Sequence, residues 1–296
     1  MTTIAISGAS GHLGRLTAEF LLDRVDPSSV VLLTRSPEKL ADLAARGATV
    51  RAADFHDPAG VTAALEGVDR FLLVSTDTVG DRLDQQVSAI GAAKAAGVGH
   101  VVYTSVTKAS GEHPALVTPD HLGTEQALQA SGLTWTILRN NLYAEFQIQE
   151  GAPAVASGQL FTNAPDGKVS WVSRVDLARA AAAVLAAESG HDGAVYELGG
   201  AVSLTRRDFA AILADVTGQP VEVVAVDDAG LTAGLVGAGL PEGVAGILAS
   251  FGVAAREGYL DAPSDIIEQL TGKPAEALRE VLAAVKDELL AAPAAH

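Results

Sequence analysis

Short apolar runs alternate with helical patterns through the first half of the chain, and this alternation restricts the fold more than any other feature. Runs rich in aliphatic and β-branched residues predict strands at residues 3–7, 30–34, 48–54, 70–75, 100–105 and 134–139. The segments between them have helical spacing, and several end on glycine, as helix C-termini prefer. Strands that are apolar along their whole length and separated by helices indicate a parallel sheet covered on both faces. We therefore predict an α/β fold with a doubly wound parallel sheet.

The pattern changes near residue 150. Residues 150–173 are rich in loop-forming residues and suggest a hairpin. Residues 178–187 then predict a helix, and residues 194–200 predict one more strand. After a further helix and a short strand, the rest of the chain is mostly helical. No internal repeat and no long linker separates the two parts, so we expect the second part to pack over the first.

The composition excludes several classes of protein. Of 296 residues, 48% are hydrophobic and 19% charged, which suits a packed core and not a disordered chain. The absence of cysteine excludes disulfides, iron–sulfur clusters and thiol nucleophiles, and the seven histidines are dispersed, so we predict no metal site. The net charge of −16 repels phosphate backbones and anionic membranes, so we expect no nucleic-acid partner. The sequence has neither a signal-like start nor a long apolar segment, so we expect a cytoplasmic protein without membrane insertion.

A glycine-rich turn, GASGHLG at residues 8–14, follows the first predicted strand directly and opens a predicted helix. Glycine allows the sharp turn, the close approach of a pyrophosphate to the backbone, and the packing of helix on sheet. The amides at the start of the helix then attract the phosphates. This order of elements predicts a Rossmann-type dinucleotide site, with a purely structural turn as the alternative. The predicted contacts are Gly8, Ser10, Gly11, His12, Leu13 and Gly14.

The end of the second predicted strand bears on the choice between NADPH and NADH. A carboxylate there would bind the ribose hydroxyls of NADH, but this chain has Arg35. An arginine can pair with the 2′-phosphate of NADPH, so we predict NADPH, with NADH binding more weakly. The alternative is a solvated surface arginine.

Further cofactor contacts are predicted where the later strands end. Asp54 and Phe55 are expected to meet the adenine, although Asp54 is an equally good cap for the helix that begins near Pro58. The remaining predicted contacts are Val74, Ser75, Thr76, Thr104, Ser105 and Asn141.

With these motifs, the chain resembles the NmrA-like atypical short-chain dehydrogenases over essentially its full length. The most specific segments are the GASGHLG loop, YTS at residues 103–105, LRNNLYAE at 138–145 and DGKVSWVSRVDLARAAAAVL at 166–185. The tail segments YELGG and GLPEGVAGIL resemble the bacterial type-two NAD(P)H:quinone oxidoreductases, and triphenylmethane reductases are similar in pattern. The resemblance implies a Rossmann domain, a small C-terminal domain, and a cleft between them for an electron-poor aromatic acceptor.

We divide the chain accordingly into two predicted domains. Residues 1–150 form the NAD(P)-binding domain, to which residues 173–200 return. Residues 151–172 and 201–296 form the smaller, mostly helical, substrate-binding domain.

The chain departs from the wider short-chain dehydrogenase pattern at one place. Those enzymes use a Tyr-x-x-x-Lys pair in which tyrosine donates a proton to a carbonyl. Here the corresponding residues run from His121 to Glu125, without tyrosine or lysine. This argues against ordinary ketone chemistry but not against hydride transfer. A quinone accepts hydride readily because its product anion is aromatic and weakly basic, so the protein needs mainly to orient the reactants.

Several residues are candidates for the acceptor side of the cleft. We predict Tyr103, His121, Asn140 and Tyr143 as catalytic residues, with amide or hydroxyl groups near the acceptor. Phe146 and Trp171, like Tyr143, are candidates for stacking on a flat acceptor, and Lys168 lies in a loop that the resemblance puts near the cleft. The alternatives are core packing for the aromatic residues, a turn for the asparagines and solvation for the lysine.

The sequence thus predicts an NADPH-dependent reductase of quinones or similar conjugated aromatic acceptors. Two alternatives remain open at this point. One is an NADP-binding redox sensor without turnover, and the other is a reductase of dyes, imine-like compounds or natural products. The predicted partner is a small-molecule acceptor, and a homodimer is compatible with the sequence.

Overall fold

The computed structural model describes residues 1–76 and 80–291. Within these residues the chain forms nine strands, of which seven build one parallel sheet and two build a small second sheet. The strands are β1 (Ile4–Ile6), β2 (Val30–Thr34), β3 (Thr49–Ala52), β4 (Arg70–Leu73), β5 (His100–Val106), β6 (Thr134–Asn140), β7 (Gln159–Thr162), β8 (Ala194–Leu198) and β9 (Glu222–Ala225).

Thirteen α-helices connect or cover the strands in the described part of the chain. They are α1 (His12–Leu22), α2 (Ala41–Ala45), α3 (Pro58–Ala64), α4 (Arg82–Ala95), α5 (Thr118–Ala130), α6 (Ala144–Ser157), α7 (Arg174–Ala186), α8 (Arg206–Thr217), α9 (Asp228–Gly237), α10 (Glu242–Arg256), α11 (Ile266–Thr271), α12 (Leu278–Ala284) and α13 (Lys286–Leu290).

The large sheet has the strand order β3-β2-β1-β4-β5-β6-β8, and every neighbouring pair is parallel. From β1 the chain first winds outward to β2 and β3, then returns to β4 and winds the other way. The predicted Rossmann-type, doubly wound fold is therefore confirmed. The crevice outside the carboxyl ends of β1 and β4, where the winding reverses, is where such sheets bind ligands.

Helices cover both faces of the sheet because its strands carry apolar residues on both faces. Ile4, Ile6 and Leu32 point to one face and pack with α1, α2, α7 and α11. Ala5 and Phe71 point to the other face and pack with α3, α4 and α5. These two layers fix the carboxyl edge of the sheet as a rigid platform for the candidate site.

A second core lies among α6, α8, α10, α12 and α13, around buried side chains such as Trp171, Phe209 and Leu213. The predicted hairpin in residues 150–173 is wrong. Helix α6 continues to Ser157, and β7 pairs in parallel with β9, a strand more than fifty residues further along the chain. The predicted mostly helical character of the C-terminal part is confirmed.

Helix α6 bears on where the two domains divide. Our predicted boundary at residue 150 falls inside α6, which packs against α8, α12 and α13. Helix α7 and strand β8, by contrast, lie against α1 and β6 of the large sheet. We propose that the division lies just before α6, and that residues 173–200 belong with the sheet. None of the helices in the described residues is long and apolar enough to cross a membrane.

Candidate functional site

The glycine-rich loop between β1 and α1 has little room for side chains. Gly8 has φ +59°, a left-handed conformation that favours glycine. A Cβ atom on Gly14 would lie 2.3 Å from the Gly8 carbonyl oxygen, so only glycine allows this turn of the helix to pack against the loop. Gly8 therefore makes the sharp turn, and Gly14 allows the helix to pack closely, two of the roles that the sequence analysis gives to glycine in this loop.

The same loop presents its outer backbone to solvent. Gly8, Ser10, Gly11 and His12 are exposed, whereas Leu13 is buried beneath them. Gly11 is the N-cap of α1 and offers no side chain to the helix, and the first backbone hydrogen bond runs from the Arg15 amide to the Gly11 carbonyl. The Gly11 amide donates to the Gly8 carbonyl at 2.8 Å, and the amides of the first helical turn, from His12 to Gly14, have no partner inside the helix. A loop of this kind is suited to bind the pyrophosphate of a dinucleotide.

Arg35 follows β2 beside this loop. The Ser10 and Thr34 hydroxyl oxygens are 2.8 Å apart, and Thr34 Oγ1 also accepts from the Ser36 amide at 3.0 Å. These bonds fix the backbone on both sides of Arg35, whose side chain is exposed and forms no ion pair with any described residue. Its guanidinium group is therefore available to a phosphate next to the loop.

Asp54 lies beyond β3, near Arg35. Its carboxylate accepts from the His56 amide and lies 3.0 Å from His56 Nδ1, and these hydrogen bonds hold the pKa of Asp54 below its usual value. The alternative role as a helix cap is wrong, because Asp57 caps α3 by accepting from the Gly60 amide. The neighbouring Phe55 is half-buried.

Hydrogen bonds connect the ends of β1, β4 and β5. The Val74 amide donates to Ser7 Oγ, and the Ser75 amide donates to Thr104 Oγ1, both at 2.9 Å. Thr104, which we predicted as a cofactor contact, is buried and supports the loop after β4. The Thr76 hydroxyl is also buried but has no hydrogen-bond partner in the described part of the chain. Buried polar groups of this kind commonly bind a ligand or water.

Tyr103 and His121 form a buried pair away from the cleft. The Tyr103 hydroxyl lies 2.8 Å from His121 Nδ1, in the layer between β5 and helices α4 and α5. Burial raises the pKa of Tyr103 above its usual value and, together with the charge of Arg82, lowers the pKa of His121 to about 3. Tyr103 is completely buried, so its predicted contact with the acceptor is wrong. At physiological pH, His121 is therefore a neutral imidazole and does not act as an imidazolium acid.

Glu125, in the position where related enzymes carry lysine, belongs to a buried ion pair. Its carboxylate accepts from Arg139 at 2.7 and 2.9 Å and from the Ser105 hydroxyl at 2.6 Å. Arg139 also donates to Glu197 on β8 at 3.2 Å. Ser105 is thus bound within the protein, and the prediction that it contacts the cofactor is wrong. Sequence reasoning missed this pair, although an arginine inside an apolar strand was a signal for it.

The loop that follows β5 is attached to the C-terminal part of the chain. Lys108 has φ +47°, the one positive value among the described non-glycine residues, and its amide donates to Glu197 at 3.0 Å. Its ammonium group donates to the carbonyls of Gly258 and Asp261 at 2.8 and 2.7 Å. Strained backbone held by several partners is typical of functional sites. The lysine therefore connects the loop after β5 to β8 and to residues 258–261 of the C-terminal part.

The two asparagines at the end of β6 have different surroundings. The Asn141 side chain donates to the Leu260 carbonyl at 3.0 Å and accepts from the Leu142 amide at 2.8 Å, so it connects the sheet to the C-terminal part. The prediction that Asn141 contacts the cofactor is therefore wrong. Asn140 is equally buried, but its Oδ1 atom has no partner in the described residues. That oxygen is an acceptor for a ligand at the carboxyl edge.

An aromatic cluster lies next to Asn140. The rings of Tyr143 and Phe146 stack at 5.7 Å with an angle of 15°, and the Arg174 guanidinium lies 4.8 and 5.1 Å from their centres. Removal from water raises the pKa of Tyr143, and the charge of Arg174 partly offsets that increase. Phe146 is 43% exposed, which is unusual for a large apolar side chain beside a cleft. Sequence reasoning missed Arg174.

The other two candidates for the acceptor side lie elsewhere. Trp171 is 4% exposed and packs against Phe209 in the second core, 6.0 Å between ring centres, so its predicted stacking on the acceptor is wrong. Lys168 is exposed on the loop before it. The groups that the structure brings to the carboxyl edge are therefore the glycine-rich loop, Arg35, Thr76, Asn140 and the cluster of Tyr143.

Comparison with known proteins shows the family to which the chain belongs. The sequence profile of the family described as NAD(P)H-binding matches residues 8–188. The chain is 40% identical to quinone oxidoreductase 2 of Escherichia coli strain K12 over 277 residues, which cover 94% of this chain and 96% of that protein. It is 29% identical to the NAD(P)H azoreductase of Xenophilus azovorans, with the same shares of both chains covered.

Solved structures give the same result. The chain matches the NADPH-dependent quinone oxidoreductase QOR2 from Escherichia coli, complexed with NADPH, with a TM-score of 0.92 and 40% identity. That match covers 96% of this chain and 99% of the other. The Citrobacter sp. triphenylmethane reductase matches with a TM-score of 0.89 and 34% identity, with the same coverage. Both similarities therefore include the large sheet and the C-terminal helices.

Proposed function

The chain belongs to the NAD(P)H-binding family, in its NmrA-like group of NAD(P)H-dependent oxidoreductases, and we propose that it transfers hydride from NADPH to quinones or similar conjugated aromatic acceptors. The buried ion pair of Glu125 with Arg139 is the observation that supports this class of acceptor. Glu125 and His121 occupy the positions of the Tyr-x-x-x-Lys pair; Arg139 holds the Glu125 carboxylate, and burial lowers the pKa of His121 to about 3. The acceptor must then be one whose reduced form is stable before it is protonated.

The residues of the carboxyl edge fit a nicotinamide dinucleotide phosphate. The exposed amides of the glycine-rich loop would bind its pyrophosphate, and the free guanidinium of Arg35 would bind its 2′-phosphate. The buried Asn140 Oδ1 and Thr76 hydroxyl, which have no partners in the described residues, would take donors from the other half of the molecule. When bound, NADPH supplies the hydride. The protein contributes position and orientation of the two reactants.

The test is a panel of acceptors, with oxidation of NADPH followed by its nicotinamide absorbance. We expect turnover with benzoquinones and naphthoquinones and none with a simple aliphatic ketone, because the ketone needs the proton donor of a Tyr-x-x-x-Lys pair and positions 121 and 125 hold histidine and glutamate. An azo dye and a triphenylmethane dye belong in the panel, since the azoreductase and the triphenylmethane reductase are relatives.

Two results would contradict the proposal. Saturable NADPH binding without oxidation by any acceptor would favour the redox-sensing alternative. Reduction of dyes or imine-like compounds without quinone turnover would keep the reductase and replace its acceptor class.

A further inference from the structure

The Arg174 guanidinium lies at the carboxyl edge beside the Tyr143 and Phe146 rings. It lies over the Tyr143 and Phe146 rings at 4.8 and 5.1 Å, within the range of a cation–π contact. Its one ion-pair partner in the described residues is Glu145, at 3.9 Å, which is too long for a hydrogen bond. Glu145 instead accepts from the Arg174 backbone amide at 2.9 Å and so fixes the start of α7. The guanidinium donates no hydrogen bond to another described residue, so its N–H groups are available to a ligand.

The position of this group links it to the cofactor loop. Tyr143 follows β6 by three residues and forms a bridge with Val172, which holds the start of α7 against the start of α6. Tyr143 and Val74 pack on the same core cluster as Leu13 of the glycine-rich loop. The Arg174 side chain is 17% exposed, so most of it is packed against its neighbours and a small part remains accessible to solvent.

Arg35 at this edge is assigned to the 2′-phosphate of the cofactor, and three other cations near it already have partners in the protein. Arg139 binds Glu125 and Glu197, Lys108 binds two backbone carbonyls, and Arg82 donates to the Thr76 carbonyl at 2.6 Å. The chain has a net charge of −16, so an anion at this edge would otherwise meet a repulsive field.

We propose that Arg174, stacked on Tyr143 and Phe146, binds the acceptor and stabilises the aryloxide formed when the acceptor is reduced. This inference rests on the proposed function and adds a residue for the charge that hydride transfer creates. The exposed face of Phe146 supplies a flat apolar surface for the acceptor ring. The guanidinium supplies a cation and hydrogen-bond donors for its oxygen.

The step balances without a protein acid. The hydride from NADPH forms a new bond to the quinone, which gains two electrons, while NADPH is oxidised to NADP⁺. The hydride forms an O–H bond at one quinone oxygen, and the π electrons move through the ring to the other oxygen, which becomes an aryloxide paired with the guanidinium. Water then protonates that oxygen as the product leaves. The fixed cation of Arg174 thus neutralises the charge on the aryloxide, which a proton donor would neutralise in an ordinary ketone reductase.

Binding of a product-like anion tests this without turnover. The protein loaded with NADP⁺ is titrated with 2-hydroxy-1,4-naphthoquinone, which is anionic at neutral pH, and with its neutral 2-methoxy analogue. We expect Arg174→Gln to weaken the anion roughly ten- to a hundredfold and the neutral analogue less than about threefold. Arg174→Lys should retain part of the preference because it keeps the charge. Arg279→Gln, which removes an exposed arginine paired with Asp215 on α8, should change neither.

Turnover distinguishes this inference from the proposed function. In the wild-type protein, absence of quinone reduction would contradict the proposed function itself. If the wild type is active, Arg174→Gln should lower kcat roughly a hundredfold while the dissociation constant of NADPH stays within about threefold. Equal loss of the anionic and neutral ligands, or unchanged kcat and unchanged anion affinity in a folded Arg174→Gln variant, would overturn the role of Arg174.

Discussion

Replacing Arg35 with alanine tests how the protein distinguishes NADPH from NADH. The two cofactors differ only in the 2′-phosphate, and Arg35 is exposed beside the glycine-rich loop without an ion-pair partner in the described residues. Asp54, whose pKa the charge of Arg35 helps to lower, is already bound to His56 and leaves the guanidinium free. We therefore expect Arg35 to bind the 2′-phosphate by charge-assisted hydrogen bonds.

The size of the effect follows from this geometry. A hydrogen bond to a charged group contributes about 1.5–3 kcal/mol, which corresponds to about ten- to a hundredfold in affinity. The contact is exposed, so salt screens it and the comparison must be made at one low ionic strength. We expect Arg35→Ala to weaken NADPH by this factor and to leave NADH nearly unchanged, as measured by fluorescence titration of both cofactors.

Arg46→Ala is a matched control, because it removes the same charge from the neighbouring helix. Arg46 is exposed and pairs with Asp23 at 2.6 Å, so it has a partner of its own. Parallel weakening of NADPH and NADH in Arg35→Ala would mean that Arg35 supports the adenine or the fold. An equal effect of Arg46→Ala would mean that the general field of the protein, and not a contact, sets the preference.

Three further changes test other parts of the site. Gly11→Val should abolish NADPH binding in a protein that still folds, since Gly11 has an ordinary φ of −85° and its side chain would fill the pyrophosphate space; a folded variant with unchanged affinity would refute the dinucleotide site. His121→Phe should keep quinone turnover within about tenfold, because a general acid typically contributes a hundredfold or more. The folded pKa of His121, about 3, is below its unfolded value of 6.5, so its contribution to stability is present above pH 6.5 and lost as the pH falls. The free energy of unfolding, measured with urea, should therefore fall less steeply below pH 6.5 in His121→Phe than in the wild type. The difference should be up to about 1.4 kcal/mol per pH unit. Glu125→Lys should cost about 3–5 kcal/mol of unfolding free energy, because it leaves Arg139 buried beside a like charge, whereas Asp166→Lys at an exposed ion pair should cost less than about 1 kcal/mol; similar values for the two would refute the importance of the buried pair.

Features that depend on neighbouring residues were predictable from the sequence. The strand–helix alternation required only the local pattern of apolar residues, and the glycine-rich loop required only the positive φ of Gly8 and the close packing at Gly14. Arg35 was found for the same reason, since its place follows from where β2 ends. Each of these signals lies within one strand–turn–helix unit, so no knowledge of distant contacts was needed.

Features that depend on distant partners were not predictable. The parallel pairing of β7 with β9 joins residues 159–162 to residues 222–225, and no local pattern specifies it. Tyr103 sits at a strand end in the sequence, but its side chain points into the layer under α5 because of the register of β5 in the sheet. Asn141 has the residue type of a ligand contact, but the Leu260 carbonyl takes its amide. In each case a contact across more than fifteen residues decides the role.

Positions 121 and 125 explain why this core does not accommodate a Tyr-x-x-x-Lys pair. Glu125 holds Arg139 and Ser105, and through them α5 to β5 and β6. A lysine at position 125, as a Tyr-x-x-x-Lys pair requires, would share a buried site with the Arg139 guanidinium, where like charges repel strongly. The buried ion pair and the usual acid pair are therefore incompatible in this core. Under the proposed function, the buried charges of Glu125 and Arg139 therefore favour acceptors that remain stable as anions after hydride transfer.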